Sequence, residues 1–315
     1  MKTQKEPETL QEAILCFSDL DVATQYVAKL RFPNGVVCVH CGTLDPYYVK
    51  SRRIWKCRAC AKQFSVKVGT IFEDSPIGLD KWLAAMWMIA NAKNGISSYE
   101  IHRALGVTQK TAWFMLHRIR LALQAGSLDK LSGEIEVDET YIGGKARNMH
   151  KGKREAKGRG GVGKSIVVGM LNRKGKVRAK PIKDIKKGTL QHEVWRNVAV
   201  GSQIYTDELP SYQGLNSQYA HDVINHAEKY VDGQIHINGI ENFWSLLKRC
   251  FKGTYISCEP FHLFRYLDEE TFRFNNRTSN DAGRFNQAVA GIAGKRVTYG
   301  QLTNNVTVKQ PRLFK

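Results

Sequence analysis

No stretch of this 315-residue chain approaches the roughly 18 uninterrupted apolar residues that a membrane span needs. The opening MKTQKEPETLQEAIL is charged where a secretory signal would be apolar, so a cytoplasmic protein with no membrane partner is expected. Acidic residues are scarce: 29 Asp and Glu face 48 Lys and Arg, which leaves a net charge of +19 and a pI near 9.6. That excess points to a polyanionic partner, because each cation set against a phosphate releases condensed counterions. Nucleic acid is the first candidate and would make the protein nucleoid-associated. An acidic membrane surface comes second, since the sequence has no basic amphipathic helix with a clean apolar face. Internal repeats and a disulfide framework are also missing. Of seven cysteines, four sit in two tight pairs and Cys16, Cys250 and Cys258 are scattered, a pattern of reduced cytosol and metal binding. At 42% apolar residues, the chain can bury a full core and carry more than one domain.

The cysteine pairs are the sharpest local signal. Cys38 and Cys41 form CVHC, Cys57 and Cys60 form CRAC, and 15 residues separate the pairs. This is the spacing of a tetrahedral thiolate zinc site, and four thiolates leave no open position, so a structural Zn²⁺ is expected. His40 lies inside the first pair and is an alternative to one sulfur. Arg52 and Arg53, with Lys56, Arg58 and Lys62, crowd these knuckles and suit phosphate contact.

Around this site the chain changes character several times. Residues 1–32 read as a helical segment, with Leu10, Ile14, Leu20, Val22 and Val27 giving an imperfect apolar face. Residues 33–75 hold the cysteines, and 76–125 are helical. There Ser97 and Glu100 form a capping box, Leu105-Gly106-Val107 closes one helix, and Thr108 caps the next. Ala112, Leu116, Ile119 and Leu123 make the inward face of that second helix, which leaves Gln109, Lys110, Trp113, His117 and Arg120 to face outward. A recognition helix in the DNA major groove presents such side chains, so this is a helix-turn-helix candidate.

After the linker GSLDKLSG, strand-like runs begin: EIEVDETYI, SIVVGML and KVRAKPI, then a helical TLQHEVWRNV, then SQIYTDEL and HDVINHA. Residues 132–278 therefore read as a mixed α/β module that ends in the helix of HINGIENFWSLLKR. Between its first two strands lies GGKARNMHKGKREAKGRGGVGK, glycine-rich and basic, where Lys151, Lys153 and Arg154 are candidates for a nucleic-acid arm. Residues 279–315 form a tail without a clear pattern.

Three carboxylates stand out in this module. Asp138 ends the acidic alternation of EIEVDETYI, Asp207 follows a short apolar strand, and Glu241 edges the helix whose buried face is Ile240, Phe243, Trp244 and Leu247. Lys248 lies two turns beyond Glu241 on the same side. Two strand-borne aspartates and a helix-borne glutamate converging at one end of a sheet would hold a pair of Mg²⁺ or Mn²⁺ ions, because hard ions prefer oxygen ligands. Glu136, Glu139, Glu208 and Asp232 are rivals for these positions.

The ordered motifs CVHCG, WKCRACAKQFSVKVGTIFEDSPI, GVTQKTAWFMLHRIR, VDETYIGG, YTDELPSY, HINGIENFWSLLKR and RYLDEETFRFNNR resemble the ISXO-like insertion-sequence transposases, from about residue 8 to residue 278. The resemblance implies an α+β multidomain chain: an N-terminal helical segment and zinc ribbon, a helix-turn-helix, then an RNase H-like DDE catalytic domain. It also implies that Asp138, Asp207 and Glu241 are the catalytic metal ligands, and that Lys248 sits near DNA phosphate. The implied activity is recognition of terminal inverted repeats, metal-dependent cleavage and strand transfer into target DNA, by a dimer or larger assembly on DNA. Two other readings are a domesticated DNA-binding regulator without catalysis, and a different RNase H-like nuclease such as a junction resolvase.

Overall fold

The structure, a computed structural model, describes residues 6–124, 126, 129–144, 163–224 and 236–303. The chain divides into two units, Met1–Gln124 with Thr278–Lys315, and Ala125–Arg277.

In the first unit, Thr9 and Glu12 form a capping box that starts α1 (Leu10–Phe17), and the Asp19 carboxylate caps α2 (Leu20–Arg31). A small antiparallel sheet follows, made of β1 (Tyr47–Val49), β2 (Ile54–Lys56) and β3 (Gln63–Phe64). Its register sets Tyr48 opposite Trp55 and Trp55 opposite Phe64, so one aromatic stack is nearly its entire core. Next comes α3 (Leu79–Asn91), where nine residues from Leu79 to Ala90 are buried; a helix apolar on nearly every side belongs at the centre of its unit. The expected capping box of Ser97 and Glu100 opens α4 (Ser98–Leu105), Gly106 turns the chain at φ +60°, and Thr108 caps α5 (Gln109–Leu123).

The second unit is built on a five-stranded mixed sheet. Its strands are β4 (Glu134–Ile142), β5 (Ser165–Asn172), β6 (Val177–Ile182), β7 (Gln203–Asp207) and β8 (Ala220–Ile224), in the order β6-β5-β4-β7-β8. The first three strands form an antiparallel meander, and β7 and β8 run parallel to β4, an arrangement consistent with an RNase H-like domain. Helix α6 (Lys187–Asn197) makes the crossover from β6 to β7 and seals one face with Leu190 and Val194 against Ile135, Val137, Val168 and Ile204. Helices α7 (Asn238–Cys250) and α8 (Leu263–Asn275) cover the other face through Ile240, Phe243, Trp244, Leu247 and Leu267. Strand β4 therefore sends Ile135 and Val137 to the layer under α6, and Glu136, Asp138 and Ile142 to the side covered by α7. A buried cluster locks the end of α7 to α8: Arg273 bonds both Glu269 and Glu270, and the Cys250 thiol donates to Glu270 at 3.3 Å.

The chain then returns to the first unit. The tail that lacked a pattern forms α9 (Asp281–Ala290) and α10 (Tyr299–Thr303), and Phe285 of α9 packs on Phe17, Tyr26 and Trp87. This return corrects one expectation for α5. His117 and Arg120 do not face outward; they are 0% and 1% exposed. Helix α5 is packed by α3, α4 and α9, so its C-terminal half has no open side. Gly291 also presses on its last turn, where an added Cβ would stand 2.3 Å from the Ala122 carbonyl.

Candidate functional site

The four cysteines meet at one point. Their sulfurs all lie within 4.8 Å of one another, with Cys38 to Cys60 at 3.7 Å and Cys41 to Cys57 at 3.6 Å. Zinc–sulfur bonds of about 2.3 Å at tetrahedral angles place sulfurs about 3.8 Å apart, so the cluster has the size of a zinc site. Each knuckle is shaped by its backbone: the His40 and Cys60 amides point at the Cys38 and Cys57 sulfurs, each at 3.4 Å, and Gly42 and Ala61 take positive φ to complete the turns. His40 instead sets its ring edge-on to Phe64, so four thiols make the donor set. Arg52 and Arg53 are exposed where β1 turns into β2, with Arg53 at φ +53°.

The second site lies in the Ala125–Arg277 unit and begins with strand register. β4 and β7 pair in parallel from Glu134 with Gln203 to Glu136 with Tyr205. The same offset carried two residues further sets Asp138 beside Asp207. Both fall on the face covered by α7, because Ile135, Val137 and Ile204 fill the opposite layer. Across β5 the partner of Asp138 is Gly169, and a Cβ there would stand 2.5 Å from the Trp244 ring. Only glycine lets the indole lie that close to the sheet. Trp244 Nε1 then donates to Asp138 Oδ2 at 2.9 Å, while the Glu139 amide donates to Oδ1 at 2.8 Å.

Helix α7 supplies Glu241 in its first turn, where the helix dipole favours a negative charge. Asp138, Glu241 and Trp244 line an open cleft of about 660 Å³ with Lys248, Arg249 and Lys252. Glu241, Ser245 and Lys248 follow the i, i+4, i+7 line of one face of α7, and Lys252 lies in the π-helical turn that follows. That stride is the sequence signal for Ser245, and Trp244, on the buried face of α7, also holds Asp138. The rivals sort by their partners. Glu136 is engaged by Arg173 and the Ile240 amide, Glu139 accepts from the Tyr212 hydroxyl at 2.7 Å, Glu208 is exposed, and Asp232 lies outside the described residues.

Charge accumulates at this sheet end. Burial, then the Asp207 charge with a further contribution from Glu241, pushes the Asp138 carboxyl up to about 6. Burial also pushes Glu139 up to about 7, with the charges of Asp207 and Asp138 adding to it against the Tyr212 hydrogen bond. Carboxylates that raise one another's proton affinity form an oxygen donor set a divalent cation would neutralise, so these residues fit Mg²⁺ or Mn²⁺. The acidic set is more open than the thiol set: among the described residues, only the cysteines draw three or more ligand atoms so close together.

A pH dependence follows for protein without divalent cation. Asp138 and Glu139 bind protons more tightly folded than unfolded, so their contribution is fully present below about pH 4 and is lost as pH rises through about 6 to 7. The loss is on the order of 2–4 kcal/mol for Asp138. The melting temperature should fall between about pH 5 and pH 7.5 in magnesium-free buffer, and added Mg²⁺ should raise it more at the higher pH. A flat profile that Mg²⁺ leaves unmoved would count against a cation at these carboxylates.

The remaining DNA-contact candidates divide. Lys110 is exposed and its ammonium sits 4.6 Å from the Tyr299 ring centroid, so α10 shares the outer side of α5. Trp113 is half-buried with its ring 6.4 Å from Tyr299, and Gln109 donates to the Ser98 hydroxyl at 2.9 Å. Lys151, Lys153 and Arg154 lie outside the described residues. No described helix is long and apolar enough to cross a membrane.

Comparison with known proteins agrees with this layout. Residues 130–275 match the ISXO2-like transposase domain, and residues 19–63 match the transposase zinc-ribbon domain. The chain is 26% identical over 242 residues to an uncharacterized protein in transposable element ISH50 of Halobacterium salinarum, covering 72% of this chain and 81% of that protein. It is 37% identical over 103 residues to an uncharacterized transposase-like protein of Haemophilus influenzae, covering 32% of this chain and 82% of that protein. With a four-cysteine cluster inside the ribbon match and the acidic sheet end inside the transposase match, the chain belongs to the ISXO2-like transposase family.

Proposed function

We propose that this protein is a DNA transposase that binds the terminal inverted repeats of its element, cleaves there in a metal-dependent reaction, and joins the freed 3′ ends to target DNA. The observation that carries the reading is the register of β4 and β7, which sets Asp138 beside Asp207, while Asp138 and Glu241 line a cleft rimmed by cations. Asp138, Asp207 and Glu241 would hold the catalytic ions. When bound, a pair of Mg²⁺ or Mn²⁺ ions supplies electrostatic stabilisation to the entering and leaving oxygens of an in-line phosphodiester displacement. Trp244 keeps the Asp138 carboxylate turned toward the cleft by its hydrogen bond. Lys248, with Arg249 and Lys252, would seat the DNA backbone there by phosphate contact, which orients without reading sequence.

End recognition is assigned to the zinc ribbon and the α4–α5 pair, through Arg52, Arg53, Lys110, Gln109 and Trp113; His117 and Arg120 are too buried to take part. Lys151, Lys153 and Arg154 are proposed to add sequence-independent phosphate contacts. Because two ends must be cut together, the active form on DNA is at least a dimer.

The test is Mn²⁺-dependent cleavage of DNA taken from the flanks of the protein's own gene. End-specific cuts followed by joined products are expected. Binding without cuts would replace the reading with a DNA-binding regulator, and cuts governed by DNA shape without joining would replace it with a general nuclease.

A further inference from the structure

Helix α7 carries Glu241, and Ile237 at its N-cap supplies no side-chain hydrogen bond. The cap comes from the sheet. Glu136, 1% exposed on β4, accepts from the Ile240 amide through Oε2 at 2.9 Å. Its other oxygen accepts from Arg173 Nε at 3.0 Å, and Arg173 in turn donates to the His236 carbonyl at 2.7 Å, the residue before the N-cap. Arg173 is itself held, lying 3.9 Å from the Tyr205 ring centroid and 3.3 Å from Glu134. His236 Nδ1 stands 3.3 Å from Glu136 but outside hydrogen-bonding geometry.

The fit is close enough to dictate neighbouring residues. A Cβ on Gly239 would stand 2.8 Å from Glu136 Oε2 and 2.9 Å from the Leu171 side chain, so a larger residue there would have to push the capping carboxylate or Leu171 aside. The anchored amide belongs to Ile240, one residue from Glu241, and the anchoring carboxylate lies two residues from Asp138 on the same strand.

We infer that Glu136 is a positioning residue for Glu241: a buried strand carboxylate that caps α7 and sets the separation of Glu241 from Asp138. This rests on the proposed role of Glu241. Glu136 does not face the cleft; its oxygens are engaged by the helix amide and by Arg173. Its effect on chemistry passes through the helix. Catalysis is sensitive to such placement, since a displacement of about 1 Å at a reacting group costs roughly a hundredfold in rate.

The experiment uses the full chain and three variants: Glu136→Leu, Glu136→Leu with Arg173→Leu, and Glu136→Asp. The double variant avoids leaving Arg173 charged and unpaired, and the Asp variant keeps the charge while shortening the reach. Hydrogen exchange read by mass spectrometry should show amides 238–243 exchanging at least about tenfold faster in every variant, with β4 and β5 protected as in wild type. Cleavage kcat should fall by roughly a hundredfold while the KM for end DNA stays within about threefold, the split expected when placement rather than binding is lost. Unchanged exchange at the start of α7 would overturn the anchor. Faster exchange with wild-type kcat would overturn the positioning role. If wild-type protein cuts no DNA, the proposed function fails while the exchange data still judge the anchor.

Discussion

Asp207→Asn should reduce DNA cutting by about a thousandfold or more, equivalent to roughly 4 kcal/mol of barrier. The substitution changes charge and almost nothing else. Asp207 Oδ1 accepts from the Leu209 amide at 3.1 Å, and an asparagine carbonyl can accept that bond, so the turn into Pro210 should persist. What disappears is one anionic oxygen donor, and a hard divalent ion loses affinity steeply when a carboxylate becomes an amide. A second consequence needs no turnover. Burial and, after it, the Asp207 charge hold Asp138 at about 6, so the variant should bring Asp138 part of the way back toward the ordinary carboxylate range and make the pH dependence of stability described above shallower. Affinity for end DNA should stay within about threefold, because recognition is assigned to other residues. Metal-dependent cutting at wild-type rate would remove Asp207 from the site.

Cys57→Ser should release the zinc and unfold the ribbon. Its sheet has strands of three, three and two residues around Trp55 and Phe64, far too little apolar surface to stand alone. A structural zinc supplies on the order of 10 kcal/mol to such a fold, and replacing one thiolate with a hydroxyl loses most of it. Metal analysis should find stoichiometric zinc in the wild type and little in the variant. Binding to end DNA should weaken by at least about tenfold as Arg52 and Arg53 lose their frame. The Ala125–Arg277 unit has its own two apolar layers and should keep its secondary structure. Wild-type protein without zinc would overturn the assignment.

Much of this was readable one segment at a time. The C-x2-C pairs, the Ser97 and Glu100 capping box, the Gly106 turn and the apolar stride of α7 are local patterns in which a few neighbouring side chains dictate backbone shape. His117 and Arg120 show where that method stops. Their positions on the helical wheel suggested solvent, but a wheel knows only one packed face, and α9 arrives from about 165 residues later to cover another. The tail itself was opaque because Phe285, Ala288 and Val289 complete a core formed by other segments and have no partner nearby in sequence.

The sequence alone therefore determined the metal chemistry of the ribbon, the alternation of helices and strands, and the identity of the candidate carboxylates. Tertiary structure decided which of the acidic residues share one place. Asp138, Asp207 and Glu241 are separated by 69 and 34 residues, and only the parallel register of β4 with β7 and the docking of α7 bring them to one sheet end. Glu136, two residues from Asp138 and of similar chemistry, is instead turned into the layer beneath α7 and spent on its cap. The reason is physical: spacing along a strand sets the face a side chain takes, but whether it meets water, a cation or a helix amide depends on what packs there from the rest of the chain.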